Sequence, residues 1–186
     1  MESDEKLVEQ ALAGSELAFS ELVDRYQERL LRFLMTRCRS RADAEDAVQD
    51  TFISAYRYLY SFDARWRFST WIYRIAIRNA ARQSQRQLPA VEVPGDESTG
   101  DPLEVCIVNS LSENVWLAAK RTLSSEAYTA MWLRYVEDLS IKEIARALDR
   151  TASWTKVTLL RSRRKLSVQL DDGEAAEMKR EQYGRV

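Results

Sequence analysis

The chain has 186 residues, with 28 Lys and Arg against 29 Asp and Glu and a net charge of −1. It contains no histidine and two cysteines far apart in sequence, Cys38 and Cys106. That removes Cys/His zinc sites and every mechanism using histidine as base or nucleophile, while carboxylate-only catalysis survives. A chain of this length buries roughly 70% of its unfolded surface and makes one domain or two small ones. Two free thiols suit a reducing compartment, and nothing else supports a redox role. The start, Met1-Glu2-Ser3-Asp4-Glu5, is acidic and lacks a signal-peptide core. No apolar run approaches the roughly 20 residues that span a bilayer, so a cytoplasmic protein that is not membrane-embedded is expected.

Helix breakers divide the chain. All three prolines and two of the five glycines fall between Pro89 and Pro102, while no Gly or Pro occurs from Ser15 to Leu88 or from Leu103 to Asp172. The two uninterrupted blocks read as helical. In the first, Phe19, Leu22, Tyr26, Leu30 and Phe33 form an apolar stripe along one long helix. A second helix is predicted from near Asp43, with Asp43 and Asp46 as its capping pair, burying Ala44, Val48, Phe52 and Ala55. A third is predicted after Ser69 as N-cap, running to about Gln87, with Trp71, Ile72 and Ile75 towards the core. Between Arg86 and Lys120 there is no cation but six acids, from Glu92 to Glu113. Residues 89–107 therefore read as an acidic, flexible linker. The second block predicts helices over 109–122, 125–136, 141–149 and 152–169. No strand alternation and no internal repeat is evident. The expected class is all-α: two small helical domains, 1–88 and 108–170, followed by a tail over 171–186.

Charge is segregated along this frame. Ala64–Val91 holds Arg65, Arg67, Arg74, Arg78, Arg82 and Arg86 and no acid; Arg150–Leu170 holds Arg150, Lys156, Arg161, Arg163, Arg164 and Lys165 and no acid. Segregated cations on a nearly neutral chain mark a polyanion site, with solvated helix faces as the alternative. In the first window, Arg74, Arg78, Arg82 and Arg86 recur every fourth residue and form a stripe suited to phosphates. Just before it, Phe62 to Thr70 interleaves aromatics with arginines, a composition suited to opened DNA, where an exposed Trp66 or Phe68 would capture a flipped base. Alternatively, Trp66, Phe68 and Trp71 are core.

The second window contains a helix-turn-helix pattern. Ser140 and Glu143 make a capping box for the short helix Ile141–Leu148; Asp149 to Ala152 form a turn; a basic helix follows, with Thr151 or Ser153 as N-cap. Helical spacing puts Ser153, Lys156, Val157, Leu160, Arg161 and Arg164 on one face and turns Thr155 and Leu159 inward. Lys156 and Arg161 are expected near the middle of that face, and Arg163 and Arg164 farther along, nearer phosphate. Val157 and Leu160 suit thymine methyls in a major groove.

The segment Asp43-Ala44-Glu45-Asp46-Ala47-Val48-Gln49-Asp50-Thr51-Phe52, followed by Phe68-Ser69-Thr70-Trp71-Ile72-Tyr73-Arg74-Ile75-Ala76, resembles region 2 of extracytoplasmic-function (ECF) sigma factors. Leu133-Arg134-Tyr135, Leu139 to Ala145 and Arg161-Ser162-Arg163 resemble region 4 of the same family. The resemblance implies a bacterial initiation factor with core RNA polymerase (its β′ coiled coil and β flap), promoter DNA and an anti-sigma factor as partners. It implies no catalytic residue, no cofactor and no metal. Asp63, Arg65, Trp66, Arg67, Phe68, Arg74, Arg78, Asn79 and Arg82 would meet the −10 element, and Ser153, Trp154, Lys156, Val157, Leu160, Arg161 and Arg164 the −35 element. Glu45, Asp46, Gln49 and Asp50 would dock the β′ coiled coil, a better account of these acids than a metal site, and the linker would run towards the RNA path. The chain departs from the family pattern in the helix-turn-helix turn, where Asp149 stands in place of the usual Gly, and at Thr155, Thr158 and Asp50.

Two other readings compete. The stretch from Leu123 also resembles the DNA-binding domain of response regulators, but the first 88 residues lack the alternating βα pattern of a receiver. A carboxylate-and-metal nuclease lacks an acidic cluster on either basic window.

Overall fold

The computed structural model of the chain describes residues 2–86 and 110–183, with side chains over 2–82 and 115–168. Its described residues are helical, with no strand among them. They fall into two compact units, Met1–Cys106 and Ile107–Val186. The predicted linker over 89–107 and Cys106 lie outside the described residues.

The first unit contains α1 (Asp4–Leu12), α2 (Glu16–Met35), α3 (Arg41–Arg57), a short 3-10 turn (Leu59–Ser61) and α4 (Phe68–Arg86). The sequence reading had no counterpart to α1. Ser3 caps it by accepting from the Lys6 amide, and Asp4 and Glu5 occupy the first turn, where the helix dipole favours negative charge. Its Leu7 and Val8 are buried, and the helix packs on α2. Arg25 of α2 secures it, donating to the Asp4 carboxylate at 2.7 Å and to the Glu2 carbonyl at 2.9 Å. The Tyr26 hydroxyl also donates to Asp4. Burial, reinforced by Asp4, pushes the Tyr26 phenol well above its ordinary value. Gly14, at φ +98°, turns the chain from α1 into α2.

The α2 stripe forms the core as its spacing predicts. Leu22, Tyr26, Leu30 and Phe33 are buried, joined by Ala18, Leu34 and Met35. Phe19 is only half-buried and meets Tyr56 edge-on at 4.9 Å. The start of α3 differs from expectation: Ser40, not an Asp43–Asp46 pair, is the cap, and its hydroxyl accepts from the Asp43 amide at 3.1 Å. Its buried face comprises Ala44, Ala47, Thr51, Phe52 and Ala55, with Val48 half-buried. Small residues there bring α3 close to its neighbours α2 and α4.

Helix α4 begins at Phe68, two residues earlier than predicted. The Arg67 carbonyl accepts from the Thr70 amide at 3.0 Å, and Ser69 lies inside the helix, buried, rather than capping it. The buried face is Ile72, Tyr73, Ala76 and Ala80, whereas Trp71 and Ile75 are half-buried. Each fully buried large side chain in this core contributes about 1.5–3 kcal/mol.

The second unit contains α5 (Ser110–Thr122), α6 (Ser125–Tyr135), α7 (Ile141–Leu148) and α8 (Ala152–Tyr183). Trp116 on α5 packs against Trp132 at 5.1 Å and Tyr128 at 5.6 Å on α6. Ser124 caps α6 by accepting from the Ala127 amide. The box predicted for α7 is formed: the Ser140 amide donates to Glu143 at 2.8 Å, and the Glu143 amide to Ser140 at 3.3 Å. Helix α8 does not stop near 169 but continues through the predicted tail to Tyr183.

Candidate nucleic-acid interface

Between α7 and α8 the chain turns on Asp149, whose φ of 58° and ψ of 44° are left-handed. The Arg150 amide reaches back to the Ala145 carbonyl at 2.8 Å and the Asp149 amide to Arg146 at 3.4 Å, closing the end of α7. Thr151 then caps α8, accepting from the Trp154 amide at 3.1 Å; of the two predicted caps, the structure uses this one. Sequence spacing thus produces a short helix, a tight turn and a second helix.

Thr155, Leu159, Ser162 and Leu166 of α8 are buried, so its opposite face is fixed. Ser153, Lys156, Val157, Leu160, Arg161, Arg163 and Arg164 are exposed. At about 100° per residue, Ser153, Val157, Leu160 and Arg164 lie opposite the buried side. Lys156 and Arg161 flank them, about 140° apart, rather than sharing the middle. Two cations of this window are engaged within the unit. Arg150 binds Glu126 at 2.6 Å and lies over the half-buried Trp154 ring at 5.6 Å, while Lys165 donates to the Thr122 carbonyl at 2.7 Å. Trp154 therefore braces the turn from one side of the exposed face. Exposed Val157 and Leu160, at 44% and 48%, are apolar groups set among cations, a mixture suited to base edges.

In the first unit, the loop before α4 is folded around Asp63. Its carboxylate accepts from the Arg65 amide at 3.1 Å, and its carbonyl from the Trp66 amide at 3.0 Å. The structure separates the aromatics of this loop. Phe68 is fully buried, edge-on to Tyr26 at 5.2 Å and to Phe62 at 6.0 Å, with Trp71 at 5.7 Å. It holds the loop down and is removed from the base-contacting candidates. Its apolar ring is worth more inside this cluster than on the surface. Trp66 is half-buried, and Arg65 and Arg67 are exposed.

Along α4, Arg74 is half-buried while Arg78 and Arg82 are exposed, so the stripe emerges towards its C-terminal half. The Arg86 side chain lies outside those described. Asn79 is half-buried and donates to Ser54 of α3 at 3.4 Å. On α3, Glu45, Asp46, Gln49 and Asp50 are all exposed, opposite its buried alanines. Glu45 also accepts from Arg41 at 2.8 Å. No group of acids, cysteines and histidines among the described residues is placed to hold a metal ion.

One further surface has no signature in any single segment of the sequence. Between α5, α6 and α8 lies an open groove of about 680 Å³ lined by Val115, Trp116, Met131, Tyr135, Val136 and Leu166. Its residues come from three helices, so no single periodicity announces it.

A helical unit with separate acidic and basic surfaces, followed by a unit carrying a helix-turn-helix, has the features of a DNA-binding protein. Residues 22–88 match Sigma-70 region 2, and residues 114–166 match Sigma-70, region 4. The ECF RNA polymerase sigma-E factor of Haemophilus influenzae is 32% identical over 174 residues, which cover 87% of this chain and 92% of that protein. Its namesake from Escherichia coli K12 is 33% identical over 174 residues, covering 87% and 91%. The fold is similar to that of CnrH, solved in complex with the cytosolic domain of CnrY, at a TM-score of 0.69 and 24% identity over 92% of this chain and 99% of that one. The chain belongs to the ECF sigma factor family, whose members are transcription initiation factors rather than enzymes.

Proposed function

We propose that the chain joins core RNA polymerase and directs it to specific promoters, acting in the cytoplasm and without catalysis of its own. Unit 1, assigned to residues 1–88, docks the β′ coiled coil through Glu45, Asp46, Gln49 and Asp50 and engages the opened −10 element. Arg78 and Arg82 hold backbone phosphates there, and Arg65, Trp66 and Arg67 present the loop to the unpaired strand. Asn79 ties α4 to α3 through Ser54, Arg74 lies half-buried at the start of the stripe, and Asp63 shapes the loop. Unit 2, assigned to residues 108–170, reads the −35 element with α8 in the major groove. Its apolar groove is the surface offered to the β flap.

The observation that carries this reading is the separation of surfaces on one small helical unit. The exposed acids of α3 suit a protein, whereas the exposed arginines of α4 suit DNA. A regulator that acts alone has no use for the first surface. Multi-round transcription with purified core polymerase and promoter DNA tests it: transcripts must depend on both the chain and core. Specific binding by the chain alone in a gel shift, with no effect on core polymerase, contradicts it.

A further inference from the structure

Helix α1 lies outside residues 22–88, the part that matches Sigma-70 region 2, yet it is fastened to the loop before α4. The tie begins at Asp4. One of its carboxylate oxygens accepts from Arg25 at 2.7 Å, and the other accepts from the Tyr26 hydroxyl. Tyr26 is buried, and its ring meets Phe68, the first residue of α4, edge-on at 5.2 Å. Phe68 packs with Phe62 at 6.0 Å, and both pack with Trp71. Phe62 and Phe68 are the two ends of the loop that carries Arg65, Trp66 and Arg67. Both ends of that loop thus rest in one aromatic cluster, and Tyr26 joins the cluster to α1. Helix α1 also packs on the 3-10 turn, whose Leu59 carbonyl accepts from the Phe62 amide at 3.0 Å.

The phenol bond is more than α1 needs for its own attachment. Arg25 already holds the helix to α2, through the Asp4 carboxylate and the Glu2 carbonyl. What the phenol bond adds is a fixed orientation of the Tyr26 ring. Without the Asp4 acceptor a buried hydroxyl loses its partner, and the ring must turn to find another. A close-packed aromatic cluster passes such a turn on to its neighbours rather than absorbing it. Phe68 is the first of those neighbours, and Trp66 stands two residues before it.

We propose that Asp4 and Tyr26 are positioning residues for promoter opening: α1 orients the Tyr26 ring, the ring seats Phe68, and Phe68 fixes the loop. The proposal rests on the reading that this loop engages opened DNA, which neither Asp4 nor Tyr26 touches. Two measurements test it, both well below the unfolding range of each variant. The first is fluorine NMR of the full chain labelled with fluorotryptophan, with the Trp66 signal assigned by Trp66→Phe. The second is holoenzyme affinity for promoter DNA pre-opened at the −10 element. Asp4→Ala should move the Trp66 signal, leave those of Trp116 and Trp132 in place, and weaken the pre-opened DNA about fivefold, with core affinity unchanged. Tyr26→Phe keeps the ring and cuts the same tie, so it should show both changes even if Asp4→Ala is too unstable to prepare. Asp4→Asn retains an acceptor for the phenol and should restore both signals. Arg25→Ala removes the other tie of α1 and should lower stability in urea with little effect on Trp66. An unmoved Trp66 signal in Asp4→Ala and Tyr26→Phe overturns the proposal. So does an equal shift in Arg25→Ala, which would assign the effect to loosening of α1 in general. A wild-type holoenzyme that does not prefer pre-opened to paired DNA overturns the underlying reading instead, and this is visible before any variant is made.

Discussion

Asp63 grips Arg65 with both carboxylate oxygens: Nε lies 2.9 Å from Oδ1 and Nη2 lies 2.8 Å from Oδ2. The bond raises the guanidinium pKa further and fixes Arg65 over the loop. One cation of the central window is thereby committed to loop geometry, which leaves the exposed arginines of α4 as candidates for phosphate contact.

Arg78→Ala should therefore lower promoter opening and reduce the salt slope of holoenzyme–DNA binding by about one counterion, with core binding retained. Permanganate reactivity of the −10 strand across a salt series measures both. Footprints equal to wild type at every salt concentration contradict the assignment.

Asp46→Lys with Asp50→Lys should weaken association with core polymerase by at least about tenfold, because opposed charges become like charges at the contact. Both side chains are exposed, so far-ultraviolet circular dichroism should be unchanged. Undiminished affinity in a pull-down titration removes the α3 assignment.

On α8, Arg161→Ala should cost roughly 1–3 kcal/mol at the preferred −35 sequence and relax discrimination at one or two base pairs. Arg164→Ala should weaken all sequences alike. Selection of a −35 library with each holoenzyme decides. If Arg164→Ala shifts the selected sequence while Arg161→Ala does not, the helix sits rotated in the groove, consistent with Arg164 lying opposite the buried side.

The burial of Tyr26, with Asp4 accepting from its hydroxyl, predicts a stability that depends on pH. Because the folded phenol titrates above its ordinary value of about 10, the folded state holds its proton where the unfolded chain has lost it. This stability is fully present below pH 10 and falls by up to about 1.4 kcal/mol per pH unit above it. Urea unfolding of the chain at pH 9 and at pH 11 should show a smaller decline in Tyr26→Phe. An identical decline in both proteins contradicts the linkage.

The left-handed Asp149 predicts an order of tolerance. Asp149→Val should destabilise the second unit by about 1–2 kcal/mol, since a branched side chain fits that conformation poorly. Asp149→Asn should stay within about 0.5 kcal/mol. Urea unfolding measures both, and equal losses in the two variants refute the conformational explanation.

Much of this architecture was legible in the residues, and what was not has physical causes. The α2 stripe, the Ser140–Glu143 box and the inward Thr155 and Leu159 follow from spacing alone, because one helix face decides them. Phe68 is different: aromatic–arginine alternation fits both a base-binding loop and a core edge, and only its meeting with Tyr26 and Trp71 chooses the core. Helix α1 was hidden because its stability comes from Arg25, which lies 21 residues from Asp4. The cap of α3 was misassigned because Asp43 and Ser40 both carry suitable oxygens, and the pattern Ser40-x-x-Asp43 could have found it. The groove between α5, α6 and α8 has no signature in any single segment.

Ser3, Ser15, Ser40, Ser124, Ser140 and Thr151 each accept a backbone amide at the head of a helix. A hydroxyl carries no charge and does not ionise in the range where proteins work. These capping hydroxyls consequently add no negative potential of their own near a polyanion, and the bonds they accept do not depend on protonation. Titrating salt against promoter affinity will therefore probe the arginines of α8 without loosening the Thr151 cap from which that helix starts.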